Sequence, residues 1–274
     1  MFKFSKKPIV VYLAYEPFGF EFLNKFLKNY KKYSSGYDHE LIICFKCFYK
    51  KKLIDKWERL INVKYTKYYD TNEINDYDIG SYFRIAKKYH DRHILFLGSH
   101  TYPITKNWLK IFINHYEDKS LLGSTASLAS IPCMFFNFFF DQYTKLQQLR
   151  WGLKHLLYVK LFPNPHIRTT GFFIKAQDLL SLNYDLNKFK EKINTNYFES
   201  GRKGLSRKLL DKGFKLKVVN SDNKSFHVED WKYSQTFCLG DQKKLIFSDN
   251  RTNEYNKSSL DEKKKRRKFC WGFY

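Results

Sequence analysis

From Pro8 to Thr125, short apolar runs alternate with longer segments whose apolar residues recur at helical spacing. That alternation constrains the fold more than any other feature of the chain. Repeated strand–helix units bury their apolar faces as a mostly parallel sheet covered by helices on both sides. Strands are expected at Pro8–Tyr15, Glu40–Phe48, Val63–Tyr69, His93–Leu97 and Leu121–Thr125. Helices are expected at Phe20–Tyr33, Leu53–Ile61, Ile79–Tyr89 and Thr105–Tyr116. The stretch from Ile131 to Phe162 is aromatic and helix-like, and it breaks at a shaped loop with two prolines that runs to Gly171. A strand at Phe172–Lys175, a helix at Ala176–Leu182, a helix at Gly204–Lys212 closed by Gly213, and a strand at Lys215–Val219 follow. The expectation is an α/β domain over residues 1–220 with an aromatic helical insertion, and a polar C-terminal extension over residues 221–274, packed on it or trailing from it.

The chain has 274 residues, 43% of them hydrophobic, which is enough for a sizeable core. Lys and Arg number 50 against 27 Asp and Glu, a net charge of +23. Such a charge attracts phosphates, nucleic acid or an anionic membrane face without choosing among them. The excess of Lys, Asn, Phe, Tyr and Ile also looks like coding bias, so part of the charge need carry no function. Met1 to Lys7 runs into the first strand without a small-residue cleavage site, and no run approaches the roughly 18 apolar residues that span a bilayer. These features fit a cytoplasmic protein. Cys44 and Cys47 form a C-x-x-C, but inside a strand and with no second ligand pair, so they read as packing residues and not as a zinc or redox site. No phosphate-binding P-loop, dinucleotide fingerprint or nucleophile elbow is present, and His227-Val228-Glu229 lacks the cysteines that would complete a deaminase zinc site.

In sheets of this kind, ligands bind beyond the carboxyl ends of the strands. Those places hold Tyr15-Glu16-Pro17 after the first strand, Asn75 to Gly80 with Arg84 one turn into the next helix, and Gly98-Ser99-His100 after the central apolar strand. Downstream, Asn164 to Thr169 forms a loop, and Phe198-Glu199-Ser200-Gly201-Arg202 precedes a helix ending at Gly213. Over residues 8–220 this order and spacing resembles the GT-A fold of nucleotide-sugar glycosyltransferases, a Rossmann-like α/β architecture, most nearly the inverting family-2 type. With Asp249-Asn250-Arg251-Thr252, the loops at 164–169 and 198–202 resemble a divergent branch found with surface-polysaccharide genes. The resemblance implies transfer of a sugar from a nucleotide-sugar donor to a glycan or lipid-linked acceptor. It also implies an Asp-x-Asp holding manganese or magnesium after the central strand. Gly98-Ser99-His100 has no such carboxylates, and the second strand's end lacks the usual acids, so the use of a divalent cation stays open.

The resemblance gives each residue a role, and ordinary structure offers an alternative for most. Glu199 is the candidate base for the acceptor hydroxyl, two positions earlier than in the family, or a carboxylate at a helix entry. Arg168 and Arg202 would fork onto phosphate oxygens, or serve as ion-pair partners. His100 and His166 would add hydrogen bonds or accept a metal, and Ser99 lies at the end of the central strand. Tyr15 and Glu16 would contact the nucleotide. Asp76 and Asp78 would bind base or ribose groups, with helix N-capping the alternative for Asp78. Gly80 would admit the nucleotide close to backbone, and Arg84 would join the same site.

The basic run Lys263–Lys268 is followed by Phe269, Cys270, Trp271, Phe273 and Tyr274. It could rest on an anionic membrane face, or form a solvated helix whose aromatics fold back on the body. Three functional classes remain open on the sequence: a sugar transferase, a nucleic-acid-binding protein, and an inactive GT-A-like scaffold. Nucleic acid is the weaker partner, because the aromatics fall at core-like spacings and no RNA- or DNA-binding motif shows.

Overall fold

The β-branched and aromatic run Ile9–Tyr15 forms β1, and all of it but Tyr15 is buried, as a strand covered on both faces requires. The computed structural model describes residues 4–71 and 75–272. After β1 come α1 (Phe20–Lys32), β2 (Glu40–Lys46), α2 (Lys51–Leu60), β3 (Thr66–Asp70), α3 (Tyr77–Lys88), β4 (His93–Leu97), β5 (Tyr102–Pro103), α4 (Trp108–His115), β6 (Ser120–Gly123) and β7 (Ala126–Ser127). The aromatic insertion resolves into α5 (Ile131–Phe136) and α6 (Lys145–Leu156). The chain continues through β8 (His166–Ile167), β9 (Gly171–Lys175), α7 (Ala176–Leu180), α8 (Lys192–Ser200), α9 (Leu205–Asp211), β10 (Lys215–Asn220), β11 (Lys224–Phe226), β12 (Phe247–Ser248), α10 (Asn250–Lys257) and α11 (Leu260–Trp271).

Eight strands make one sheet, in the order β11, β10, β6, β9, β4, β1, β2, β3. The pairs β1–β2, β2–β3, β1–β4 and β6–β10 are parallel, while β9 is antiparallel to both β4 and β6, and β11 to β10. The architecture is therefore α/β, a mostly parallel sheet flanked by helices. Strand β9 runs against its neighbours because the chain re-enters the sheet from the β8–β9 loop, which lies at the carboxyl-end rim.

Alternation along the strands divides the core in two. Ile9, Val11 and Leu13 of β1 pack on one face with Ile94 and Phe96 of β4 and Ile79, Tyr82 and Ile85 of α3. Val10, Tyr12 and Ala14 pack on the other with Leu23 and Phe26 of α1 and Trp108 and Phe112 of α4. Cys44 and Cys47 are buried and free. The segment after residue 220, polar by composition, enters both cores: Trp231, Tyr255 and Trp271 on the first face, Ile246 and Phe247 on the second. It also supplies β11 to the large sheet and β12 to a two-stranded pairing with β5.

Two local expectations are corrected. Helix α3 begins at Tyr77 with Asp76 at its N-cap, so Asp78 lies inside the first turn and does not cap it. Glu199 lies in the last turn of α8 and not at a helix entry, so the macrodipole opposes a carboxylate there instead of favouring it. In the C-terminal helix, Cys270 and Trp271 are buried, while Phe273 and Tyr274 lie outside the described residues.

Candidate active site

The chain leaves β1 toward β2 and β3 on one side and crosses back to β4 on the other, so the sheet has a switch point between the carboxyl ends of β1 and β4. Strand ends diverge at such a point and leave a crevice. Here the crevice is a cavity of about 370 Å³. Tyr15 from β1 and Gly98, Ser99 and His100 after β4 form its base, with Arg168 and Thr169 from the β8–β9 loop. Tyr77 and Asp78 enter from the start of α3, and Asn250 and Arg251 from the start of α10. One face of α8 closes it with Lys192, Thr195, Asn196 and Glu199.

The base is pinned by backbone and buried hydroxyls. Tyr12 donates its hydroxyl to the Ser99 carbonyl at 2.5 Å, and Thr101 donates to the Thr170 carbonyl at 2.7 Å. His100 lies between the rings of Phe18 and Phe22, with centroids 4.6 Å and 4.3 Å away. Burial lowers its pKa, so it is a neutral imidazole at pH 7, and its Nδ1 has no hydrogen-bond partner among the described residues. Tyr77 holds a left-handed φ of 53°, which is costly for a bulky side chain. Its N–H donates to the Asn75 side chain at 3.1 Å, and Asn75 donates in turn to the Tyr15 hydroxyl at 3.0 Å.

Among the described residues two carboxylates face the cavity. Glu199 accepts both the amide and the hydroxyl of Thr169 on Oε2, each at 2.7 Å, which fixes the carboxylate plane and leaves Oε1 without a hydrogen bond among the described residues. Asp78 is half-buried where α3 meets the cavity. Desolvation raises its pKa against the pull of Lys192, and the charge of Glu199 adds to the rise. Cations stand opposite. Lys192 shares the α8 face with Glu199, and Arg251 is exposed at the start of α10. Arg168 is buried and already engaged: its Nη1 is 3.1 Å from Asp249 and 3.4 Å from the Thr125 hydroxyl, and its guanidinium lies 3.8 Å from the Phe237 ring centroid. His166 stands behind this wall, buried, its Nδ1 bonded to the Asn164 carbonyl at 2.8 Å and near enough to Glu199 to feel its charge.

Tyr15, Asp78, Ser99, His100, Arg168 and Glu199 are thus brought together. Others expected at the site stand elsewhere. Asp76 and Arg84 belong to a buried ion cluster at the ends of β2 and β3. Lys46 Nζ lies 2.6 Å from Asp76 and 3.1 Å from Asp70, and Arg84 holds Asp70 at 2.6 Å and Asp76 at 2.6 Å. Burial opposes ionisation of both aspartates, but hydrogen bonds from Arg84, with Ser81 on Asp70 and Lys46 on Asp76, outweigh it and hold both below the usual carboxylate range. Gly80 serves that cluster, because a Cβ there would overlap the Asp76 carboxylate. Glu16 lies in a 3-10 turn beside the cavity, outside its lining. Arg202 is exposed, donates to the Leu156 carbonyl at 3.3 Å, and lines a different cavity.

The donor set does not suit a divalent cation. Among the described residues no three His, Cys, Asp or Glu side chains gather as ligands, and the loop after β4 offers two hydroxyls and one imidazole, with no carboxylate, where hard ions prefer several oxygens. Sequence reasoning missed Lys192, Thr195, Asn196, Arg251 and Asn250. The α8 residues carried a signal: 192, 195, 196 and 199 have the i, i+3, i+4, i+7 spacing of one helical face. No helix is long and apolar enough to cross a membrane among the described residues.

No family profile and no curated protein matches the chain. Among solved structures, the bifunctional glycosyltransferase WbbM aligns at 13% identity over 77% of this chain and 38% of its own, with a TM-score of 0.38. The chain therefore spans well under half of that protein's length. Core-mannan synthase A of Aspergillus fumigatus aligns at 9% identity over 81% of this chain and 75% of its own, with a TM-score of 0.40. The galactosyltransferase LgtC aligns at 9% identity over 75% and 70%, with a TM-score of 0.39. Likeness of this order goes no further than the layered α/β architecture.

Proposed function

We propose that the chain is a glycosyltransferase that takes a sugar from a nucleotide-sugar donor. The observation that carries this reading is the crevice at the β1/β4 switch point, where Lys192, Arg251 and Arg168 face the carboxylates of Asp78 and Glu199. A sugar diphosphate needs cations at its leaving group and a carboxylate at the attacking hydroxyl. In this reading Glu199 takes the proton of the acceptor hydroxyl as that oxygen bonds to the anomeric carbon. The bond from the anomeric carbon to the diphosphate oxygen breaks, and its electron pair leaves with the phosphate. Lys192 and Arg251 stabilise that charge, while Arg168, tied to Asp249, shapes the wall. Asp78 holds substrate hydroxyls, and Thr169 sets the angle of Glu199. No step runs through a metal.

The acceptor proposed is a glycan or a lipid-linked sugar of surface-polysaccharide synthesis, met at the inner face of the cytoplasmic membrane. The sequence resemblance and the net charge of +23 support this finer reading. Residues 1–220 are proposed to hold the catalytic framework, with Asn250 and Arg251 of the C-terminal segment completing the cavity wall. A second reading has one observation in its favour: without a metal-binding donor set, the crevice could bind sugar nucleotides and leave them unreacted. The test is turnover of UDP-, GDP-, CMP- and TDP-sugars over a panel of acceptors. Glu199→Gln should lower the rate by about 10²-fold or more while nucleotide affinity is kept. Full activity in that variant removes Glu199 as the base, and binding without turnover in the unmodified protein selects the second reading.

A further inference from the structure

Helix α6 is inside out. Its buried stripe is Gln148, Gly152 and His155, whereas Leu146, Leu149 and Leu153 face solvent. At 3.6 residues per turn those three leucines fall within an arc of about 60°, and Leu157 after the helix extends the row. Leu146 is 66% exposed, Leu153 62% and Leu157 73%, far more than an apolar ridge tolerates without a partner. Trp151, Tyr158 and Tyr143 are also exposed beside it.

The ridge is set in positive charge. Arg150 and Lys154 flank it on the helix, and the sequence holds no Asp or Glu from Gln142 to Gln177. Beyond its end, a cavity lined by Leu157 also presents Lys188, Arg202, Lys203 and Lys208, with Asp185 its one acid. The basic helix α11 meets the connection that leads into α6: its Lys265 donates to the Phe139 carbonyl at 3.1 Å and lies 3.8 Å from Asp141, and its Phe269 packs edge-on against Phe139 with centroids 4.4 Å apart. A second copy of the chain would bring like charges together. An anionic bilayer satisfies both features at once, taking leucines and aromatic rings into its interface and its headgroups against lysine and arginine.

We infer that the exposed leucine face of α6, bordered by Arg150 and Lys154 and by the basic cavity beyond Leu157, is a docking surface for an anionic lipid bilayer. The surface stands apart from the crevice and does not depend on what the crevice transfers. The test is co-sedimentation of the full chain with phosphatidylcholine vesicles, with and without phosphatidylglycerol. Binding is expected only with phosphatidylglycerol, and it should weaken as salt rises. The combined variant Leu146→Ser, Leu149→Ser, Leu153→Ser should bind about tenfold more weakly or worse, with an unchanged melting temperature, because each leucine forfeits its transfer from water. Arg150→Gln with Lys154→Gln should weaken binding without touching the ridge. Equal binding to both vesicles, no binding to either, or full binding by the triple-serine variant would overturn the inference. A vesicle-free dimer that the triple-serine variant dissolves would overturn it too, by giving the ridge to a second copy.

Discussion

A carboxylate in the last turn of a helix stands where the backbone disfavours negative charge, and Glu199 is held there by two donors from Thr169. That arrangement spends local stability on orientation, which suits a reacting group better than a structural one. Thr169→Val removes the hydroxyl donor and keeps the amide. It should lower turnover by several-fold and leave nucleotide affinity alone, read from the split between kcat and the dissociation constant; an equal change in both would make Thr169 a binding residue. Arg168 demands a different variant from the exposed cations. Cutting it to Ala leaves Asp249 buried without a cation, still holding the Thr252 N–H, at a cost of about 3 kcal/mol in stability. Urea unfolding of Arg168→Ala checks that, and a loss under about 1 kcal/mol would show the pair to be dispensable. Gly80 gives the sharpest sign. In most helices Gly→Ala gains about 1 kcal/mol. Here the new Cβ meets an Asp76 carboxylate that Lys46 and Arg84 hold in place, so Gly80→Ala should destabilise by about 1–2 kcal/mol. A gain would mean that Asp76 moves aside freely.

At the level of elements, periodicity made the first half of the chain legible. The strands from β1 to β4 and the helices between them were readable because the strands alternate around a doubly covered sheet and the helices carry one apolar face. After α5, the same patterns gave β9, α7, α9 and β10, while other elements were harder for physical reasons. Helix α8 hides its signal in a polar stripe, because its cavity face is Lys192, Thr195, Asn196 and Glu199 and not a row of leucines. Strand β12 is two residues long, and β11 three, too short for any pattern. Of the site, the rim loops after β1 and β4 followed from topology alone, while the separation of Asp76 and Arg84 from Asp78 depended on side-chain direction over a single turn. The ion cluster that absorbs Asp76 and Arg84 ties the ends of β2 and β3 to α3, and it makes a pH prediction. Asp70 and Asp76 titrate below their unfolded value, so their contribution is present above that value, near pH 4, and is lost as the pH falls through the lower folded values. Unfolding free energy measured from pH 7 down to pH 3 should drop in that acid window. A flat profile there would mean that the cluster contributes nothing net.

Across the whole molecule, the segment after residue 220 is as much a part of the cores as the strands are, through Trp231, Phe247, Tyr255 and Trp271, and it carries Asp249 to Arg168 and Arg251 to the crevice. A chain ending at residue 220 should therefore lose its cooperative thermal transition, and a truncated protein that melts as sharply as the full one would show those contacts to be superficial. The larger picture is a sheet whose switch point opens between two carboxylates and a set of cations, with a leucine-ridged, basic flank on α6. The crevice is the centre of that picture, and calorimetric titration of the full chain with UDP, GDP, CMP and TDP tests it most directly. One of the four should bind without added divalent cation, and Lys192→Ala and Arg251→Ala should each weaken it about tenfold, the scale of one charge-assisted contact to phosphate. If none of the four binds, or if both variants bind as tightly as the parent, the crevice is no sugar-nucleotide site.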